Sequence, residues 1–473
     1  MGAAEVEGKC VAVVAVCVLL IPPFTHRTEM AHCHPVPTTY EGVAGHPFPS
    51  GCDQPRLRKI QGGSPLTSLR KLRTVLYAAE LGQVSAAARA LNISQPAASR
   101  AILSVEKMIG TPLFQRGTSR LTTTEQGMAL CRRTRRALDH LETADAAVTP
   151  APDAARRLIS AQTSENELQA VIAIAECGTI TAAARREGLS QPALTRSLRK
   201  LENRVGQALF HRTTERMRLT PAGETLVRRA KLAFSELRHG FEEVALIQGA
   251  RGGELRLGAL PLTRARLVPF AIDAVLTTFP EARVSVVDGT YSSLATSLRN
   301  GDIDMIVGSI RAAPPGTDLS SQWLFDDSMV AVARTGHPLA GNAAPSLAAC
   351  LRHDWVLPLP GVPLRMEFEA LIDSAGLPRP GHVIEADSLA IVRTLLLGSD
   401  RLAVVSHHQV HYETSAGQLV VLPVDFSAAV RPVGWTVRRD YIPTSLMQAF
   451  QQELRRAVSR ITSTDNHHTR DMI

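Results

Sequence analysis

Gln191, Thr195, Arg196, Arg199 and Lys200 are spaced so that the free face of one helix carries all of them, while Leu194, Leu198 and Leu201 recur at helical spacing and face inward. Amide, hydroxyl and guanidinium groups on a rigid rod match the hydrogen-bonding pattern of base edges and phosphates, and such a rod fits the DNA major groove. The chemistry this face offers is recognition rather than bond making. Ser190 is placed to cap the helix, its hydroxyl satisfying an orphan N–H of the first turn. Pro192 falls in that turn, where a missing N–H costs nothing. Upstream, Ala182, Ala183 and Ala184 form a small-residue surface that lets another helix approach, and Gly188 marks the turn between the two.

The same stretch occurs twice. Residues 84–106, VSAAARALNISQPAASRAILSVE, match residues 180–202, ITAAARREGLSQPALTRSLRKLE, without a gap at an offset of 96 positions. Ser94, Gln95, Pro96, Arg100 and Glu106 correspond to Ser190, Gln191, Pro192, Arg196 and Glu202. The register continues through Gly110, Leu113, Phe114, Arg116 and Gly127, against Gly206, Leu209, Phe210, Arg212 and Gly223. Chance does not hold a register that long, so this is a duplicated domain, with too few copies for a solenoid.

Each copy resembles the N-terminal winged helix-turn-helix of LysR-type transcriptional regulators. The residues that carry the resemblance are the triple alanine, Ser-Gln-Pro-Ala, Arg196 followed by Leu201-Glu202, Leu209-Phe210-His211-Arg212 and Leu219-Thr220-Pro221-Ala222-Gly223. The chain beyond Gly253 resembles the effector-binding domain of the same family, so the resemblance runs from Leu66 onward. The departure is the doubled reading head. The resemblance implies double-stranded DNA as partner. The contacts implied are Ser94, Gln95, Pro96, Ser99, Arg100, Lys107, Arg116 and Arg120 in the first head. In the second they are Ser190, Gln191, Pro192, Thr195, Arg196, Arg199, Lys200, Arg212 and Arg216. It further implies a small-molecule effector and a homodimer or homotetramer, with no cofactor and no catalysis. RNA polymerase is left open as another partner.

A chain of 473 residues has room for two to four domains, and 45% hydrophobic residues are ample for buried cores. The formal charge of +8 suits an acidic partner without naming it. Arg132, Arg133, Arg135 and Arg136 form one basic cluster, and Arg228, Arg229 and Lys231 another. Each reads either as a solvated helix face or as a nucleic-acid patch. Cysteines at 10, 17, 33, 52, 131, 177 and 350 form no Cys-X-X-Cys pair, so free thiols in a reducing compartment are expected.

Taken in order, residues 1–65 read as a disordered Pro/His-rich leader or the product of a wrongly chosen start codon. The apolar run from Cys10 to Ile21 is shorter than the roughly 20 residues a bilayer span needs, and Glu5 and Glu7 oppose a signal peptide, so no membrane partner is expected. His26, His32, Cys33, His34, His46 and Cys52 match no zinc spacing. Residues 66–148 form the first head, with a wing at 115–120, a returning edge at 122–124 and a long helix from Glu125. Residues 149–163 are a linker. Residues 164–249 form the second head, whose wing at 212–218 carries Glu215, a group that repels phosphate. The helix after Pro221 sets Leu226, Ala230, Ala233, Leu237, Phe241, Val244 and Ile247 at steps of three and four. One domain cannot bury so long a stripe alone. It fits a two-helix seam between subunits, the role the resemblance also gives it; packing on its own head is the alternative.

Residues 249–253 are expected to form a flexible joint. Residues 253–463 alternate strand and helix, which predicts a largely parallel sheet covered by helices, in two lobes with a cleft between them. This resembles the periplasmic-binding-protein architecture with which LysR-type regulators sense metabolites. Residues 464–473 read as a tail. Ligands of such sheets sit beyond the carboxyl ends of strands, near helix N-termini. That singles out Thr263, Tyr291, Ser292 and Ser309 on one lobe and Arg365 and Ser388 on the other as effector contacts, with Arg365 suited to an anion. Ordinary caps and surface ion pairs are the alternatives. His407 and His411 lack a third ligand at a helpful spacing, so no metal is expected. No GxSxG, HExxH, P-loop or GxGxxG recommends catalysis. Residues 355–365 resemble the branch containing regulators of sugar uptake and of protocatechuate breakdown, which implies a sugar or an aromatic or organic acid as effector.

The fold class is therefore multidomain: two all-α winged helix-turn-helix domains plus a two-lobed α/β periplasmic-binding-protein-like effector domain. The function expected is that of a cytoplasmic, LysR-type DNA-binding regulator tuned by a metabolite. Two rivals stay open. One is a small-molecule-binding protein or enzyme of the binding-protein fold whose helical half serves assembly only. The other keeps DNA binding but makes one head a protein–protein module.

Overall fold

The computed structural model describes residues 68–115, 120–148, 158–212, 216–311, 318–341, 344–427 and 429–470. The leader, both wing tips with Arg116 and Glu215, the side chain of Arg212 and the break at 149–152 lie outside what is described.

The first head consists of α1 (Leu69–Leu81), α2 (Val84–Ala90) and α3 (Gln95–Ile109), a short antiparallel wing of β1 (Phe114–Gln115) and β2 (Thr122–Thr123), and the long α4 (Glu125–Val148). A one-turn α5 (Leu158–Gln162) leads to the second head: α6 (Glu165–Cys177), α7 (Ile180–Glu187), α8 (Gln191–Val205), the wing strands β3 (Phe210–Arg212) and β4 (Met217–Leu219), and the long α9 (Pro221–Ile247). Three-helix heads of this size bury little alone. Here one continuous core joins both, from Leu69 and Leu72 through Leu130, Leu138 and Leu141 to Leu226, Ala233 and Leu237.

The continuity comes from α4 lying along α9. The sequence reading assigns the apolar stripe of α9 to a seam between subunits. The structure corrects this: α4 of the same chain covers it. The duplicated unit brings its own copy of the long helix, and a tethered partner outcompetes a second molecule through its effective concentration.

Beyond α9 the chain enters a nine-stranded mixed sheet in the order β10-β9-β11-β8-β13-β7-β5-β6, with β12 also on β8. In the first lobe β5 (Gly252–Ala259) is followed by α10 (Pro261–Arg264), α11 (Leu267–Thr278), β6 (Glu281–Val287), α12 (Tyr291–Asn300) and β7 (Met305–Ser309). β5 lies parallel to both β6 and β7. The 16-residue β8 (Leu319–Arg334) then crosses into the second lobe. That lobe holds α13 (Leu347–Cys350), β9 (Trp355–Leu357), α14 (Pro363–Ser374), β10 (Val383–Glu385), α15 (Leu389–Leu397), β11 (Leu402–Ser406), α16 (His411–Ser415) and β12 (Leu419–Leu422). β13 (Val430–Arg438) returns to the first lobe beside β8, and α17 (Ser445–Arg470) packs on α11. α17 runs on to Arg470, where the sequence reading places a tail from residue 464.

Helices cover both faces of each lobe. Leu267, Ala271, Phe450 and Leu454 fill one side of the first lobe and Leu294 and Leu298 the other. Phe368 and Trp355 fill one side of the second lobe, and Val392 and Leu396 the other. No helix among the described residues is long and apolar enough to cross a membrane. The described cysteines, Cys131, Cys177 and Cys350, are free thiols.

Candidate functional site

The two heads are held by the same bonds, 96 positions apart. Ser94 Oγ accepts from Ala97 N at 3.4 Å and Ser190 Oγ from Ala193 N at 3.3 Å. Glu106 Oε1 accepts from Leu113 N at 2.8 Å, and Glu202 Oε1 from Leu209 N at 2.9 Å. These carboxylates fix the end of the reading helix to the start of the wing. Thr124 Oγ1 donates to Pro112 O and Thr220 Oγ1 to Ala208 O, each at 2.9 Å. Gly127 and Gly223 let the long helix rest on the wing strand: an added Cβ would lie 2.1 Å from the carbonyl oxygen of Leu113 or Leu209.

This scaffold leaves one face of α3 and one face of α8 in solvent. Ser94, Gln95, Pro96, Arg100 and Lys107 are exposed on the first, with Ser99 half-buried. Ser190, Gln191, Pro192, Arg196, Arg199 and Lys200 are exposed on the second. Thr195 is half-buried, and its hydroxyl donates to Gln191 O at 2.9 Å. Lys200 Nζ lies 2.6 Å from Glu167 Oε1, so its charge is shared with an acid at the start of α6. Arg120 and Arg216 are both exposed at the wing bases, over Gly82 and Gly178.

The basic clusters of the long helices sit elsewhere. Arg133 is fully buried, between Glu236 Oε2 at 2.9 Å and Glu243, to which its Nε donates at 2.9 Å. Burial works against that charge, but the two carboxylates outweigh it and hold the guanidinium protonated. Arg136 and Arg132 complete the network on Glu236 (3.0 Å) and Glu243 (2.8 Å). Lys231 bridges Glu176 (2.6 Å) and Asp302 (2.9 Å). Arg132, Arg133, Arg136 and Lys231 therefore bind protein carboxylates.

The seam has a near two-fold logic. Arg229 and His140 stand where the duplication places the counterparts of Arg133 and Glu236, and they also meet, at 3.4 Å. The match stops at charge. Burial pushes His140 down to about 4, so it stays neutral, and Arg229 Nε is buried with no hydrogen-bond partner among the described residues.

Further contacts fasten the heads to the first lobe. Arg238 Nη2 reaches both oxygens of the buried Asp304, at 3.2 and 3.1 Å, and His239 Nε2 lies 3.3 Å from the same carboxylate. Burial opposes the charge on Asp304, yet Arg238 holds its pKa far below the usual range. Arg133 also donates to Ile442 O at 2.9 Å, before α17. The joint at 249–253, expected to be flexible, is thus bypassed by a buried ion-pair network.

The lobes are connected by β8 and β13. Where they cross, Asp327 is fully buried, accepts from Ser406 Oγ at 2.5 Å and pairs with Arg431. α10 packs on the turn at His407–Gln409 of the opposite lobe, and Phe325 meets His408 edge-on at 5.2 Å. His407 belongs to that turn and His411 opens α16, so no single helix presents both. Among the described residues no group of three or more His, Cys, Asp or Glu is placed to hold a metal.

The expected effector contacts differ in what they offer. Thr263 is fully buried, its hydroxyl against Leu260 O at 3.0 Å and Val307 O at 3.1 Å. Ser309 is nearly buried at the end of β7. Tyr291 and Ser292 open α12, with Ser292 exposed beside Thr290. Arg365 is turned along its own helix to Glu369 at 2.5 Å. Ser388 is exposed at the N-cap of α15, and its side chain makes no capping bond. Sequence reasoning misses Arg311. This half-buried guanidinium lies 5.1 Å over the Tyr291 ring, its Nε has no hydrogen-bond partner among the described residues, and burial pushes its pKa down. Its one sequence signal is its position two residues beyond Ser309.

Comparison with known proteins agrees with this layout. Residues 248–459 match a family model described as the LysR substrate binding domain, and residues 69–128 and 166–224 each match the bacterial regulatory helix-turn-helix protein of the lysR family. The HTH-type transcriptional regulator GalR of Pseudomonas putida is 33% identical over 394 residues, 83% of this chain and 98% of the relative. The HTH-type transcriptional regulator PcaQ of Agrobacterium fabrum is 29% identical over 294 residues, 62% of this chain and 94% of the relative. Both alignments take in nearly the whole relative, and they differ by 100 residues, the extent of one head with its joining segment. Among solved structures, a variant of full-length OxyR from Pseudomonas aeruginosa matches with a TM-score of 0.50 at 22% identity, covering 62% of this chain and 95% of that one, a likeness of fold.

Proposed function

The chain belongs to the LysR-type family of DNA-binding transcriptional regulators, and on that premise we propose that both of its reading heads bind DNA, side by side, from one polypeptide. The observation that carries this is the α4–α9 seam. It packs two equally built heads on one shared core, each with its Gln-Pro-Arg face in solvent. Two heads about a near two-fold axis suit two half-sites on one side of the duplex. Assembly into a dimer or tetramer then uses a surface other than the seam and multiplies pairs of heads. RNA polymerase would be met as part of a promoter complex in the cytoplasm.

The effector binds between the lobes. Closure about the β8–β13 crossing moves the second lobe, while Arg238–Asp304 keeps the first lobe fixed to the heads. A ligand shifts that equilibrium only by its differential affinity for the two settings. Arg311 over Tyr291, a cation with no ion-pair partner among the described residues, lies beside the start of α12 and favours a carboxylate-bearing organic acid over a neutral sugar. Tyr291, Ser292, Ser309 and Ser388 supply the polar rim.

The test is an anisotropy titration of DNA from upstream of the gene with the intact chain at several salt concentrations, because phosphate contacts make affinity salt-dependent. Saturable binding that weakens with salt, and that shifts when an aromatic carboxylate is added, is expected. Absence of specific binding to every upstream fragment, with and without acids and sugars, would overturn the reading in favour of a ligand-binding protein with a helical assembly module.

A further inference from the structure

We infer that the natural target is a non-palindromic duplex whose two half-sites differ, bound in one fixed orientation by a single chain. The inference rests on both heads reading DNA. It starts from three pairs of positions that the duplication makes equivalent. Leu103, 51% exposed, stands where the second head exposes Arg199. Lys107 stands where it exposes Asn203. Ser104, which accepts from Lys71 Nζ at 2.8 Å, stands where Lys200 lies on Glu167.

The first turns of the two reading helices remain alike, Ser-Gln-Pro-Ala in both, with an arginine five positions after the glutamine. Those turns ask for the same bases. The later turns do not. A leucine side chain on this face gains from the C5 methyl of thymine and leaves a guanine edge unpaired, whereas an arginine is suited to guanine O6 and N7 together. The half-sites should therefore share one step and diverge at the next, with thymine facing Leu103 and guanine facing Arg199.

Orientation is set by the seam. Arg133 with Glu236 and Glu243 on one side, and Arg229 with neutral His140 on the other, make the two halves non-interchangeable. Arg133 and Arg136 also reach the backbone at Ile442 and Asp440, so the first lobe sits on the head pair off its axis. A chain bound to unlike half-sites thus carries its effector domain towards one end of the operator.

The experiment uses the full chain and three duplexes: the natural upstream site located by footprinting, and two symmetrised sites, each repeating one half in inverted order. Intact protein is expected to bind the natural duplex at least about tenfold more tightly than either symmetrised one. The variant Leu103→Arg/Lys107→Asn changes two exposed residues, and an unchanged melting temperature verifies its fold. It is expected to transfer its preference to the duplex that repeats the second half-site. Equal binding of the intact chain to the natural and a symmetrised duplex would overturn the inference and leave the regulator standing. Absence of specific binding to all three would overturn both.

Discussion

The first and second heads keep the same internal bonds and present different outer faces. Ser94 and Ser190, Glu106 and Glu202, Thr124 and Thr220, and Gly127 and Gly223 do the same work to within 0.1 Å. Each bonds or clears a backbone group, and a backbone group offers few alternatives. Leu103 and Arg199 face solvent, and nothing inside the fold restrains them. The seam shows the same contrast between its halves, one holding two buried carboxylates on Arg133 and the other a neutral histidine beside Arg229.

The contrast can be broken hardest at Arg133. Arg133→Ala strands Glu236 and Glu243 as buried charges, and removal of one partner from such a site costs about 3–5 kcal/mol. Arg229→Ala removes a cation that has no carboxylate partner among the described residues and should cost about 1 kcal/mol or less. Urea unfolding of the two variants checks the asymmetry; equal losses would mean the halves of the seam are equivalent. Next in size, Gly127→Ala and Gly223→Ala should each cost roughly 1–3 kcal/mol and by similar amounts, since the same carbonyl contact is violated in both heads. A loss confined to one glycine would show that the heads do not share a scaffold.

Smaller effects sharpen the picture. His140→Glu would give Arg229 the carboxylate that Arg133 already has, and should raise stability by about 1 kcal/mol at neutral pH. A lower melting temperature would contradict the near two-fold reading of the seam. The smallest concerns Glu242, which burial pushes up to about 7 in spite of Arg238, with Asp304 and Glu254 adding to the rise. Its folded value lies above the unfolded one, so its contribution is full below about 4.5 and is lost as pH rises through about 7. His140, depressed to about 4, has the opposite sign and weakens the seam as pH falls below about 6.5. Glu242→Gln should therefore flatten the decline in melting temperature between about pH 4.5 and about 7; an unchanged slope would rule out that carboxyl.

Much of this layout is legible in the sequence. Caps, turn glycines and the leucine stripe of α8 obey local rules, and a repeat in strict register announces two heads. Three features escape it. The stripe on α9 says that something covers it but not what, and the arginines of α4 disguise its partner as a solvated face. β8 begins at Leu319, yet its first residues include Ser320, Ser321 and Gln322, all of them exposed, so no alternation marks the strand before Phe325. Arg311 acquires its meaning only by meeting Tyr291, 20 positions earlier in the chain.

The most direct test of a two-headed single chain is a hydroxyl-radical footprint of the upstream site with three proteins: the intact chain, Gln95→Ala/Arg100→Ala and Gln191→Ala/Arg196→Ala. Each lost base contact is worth about 1–3 kcal/mol. Two protected half-sites are expected for the intact chain, with each double variant losing protection over a different one. A footprint that one double variant leaves wholly unchanged would contradict the account and make that head an assembly module.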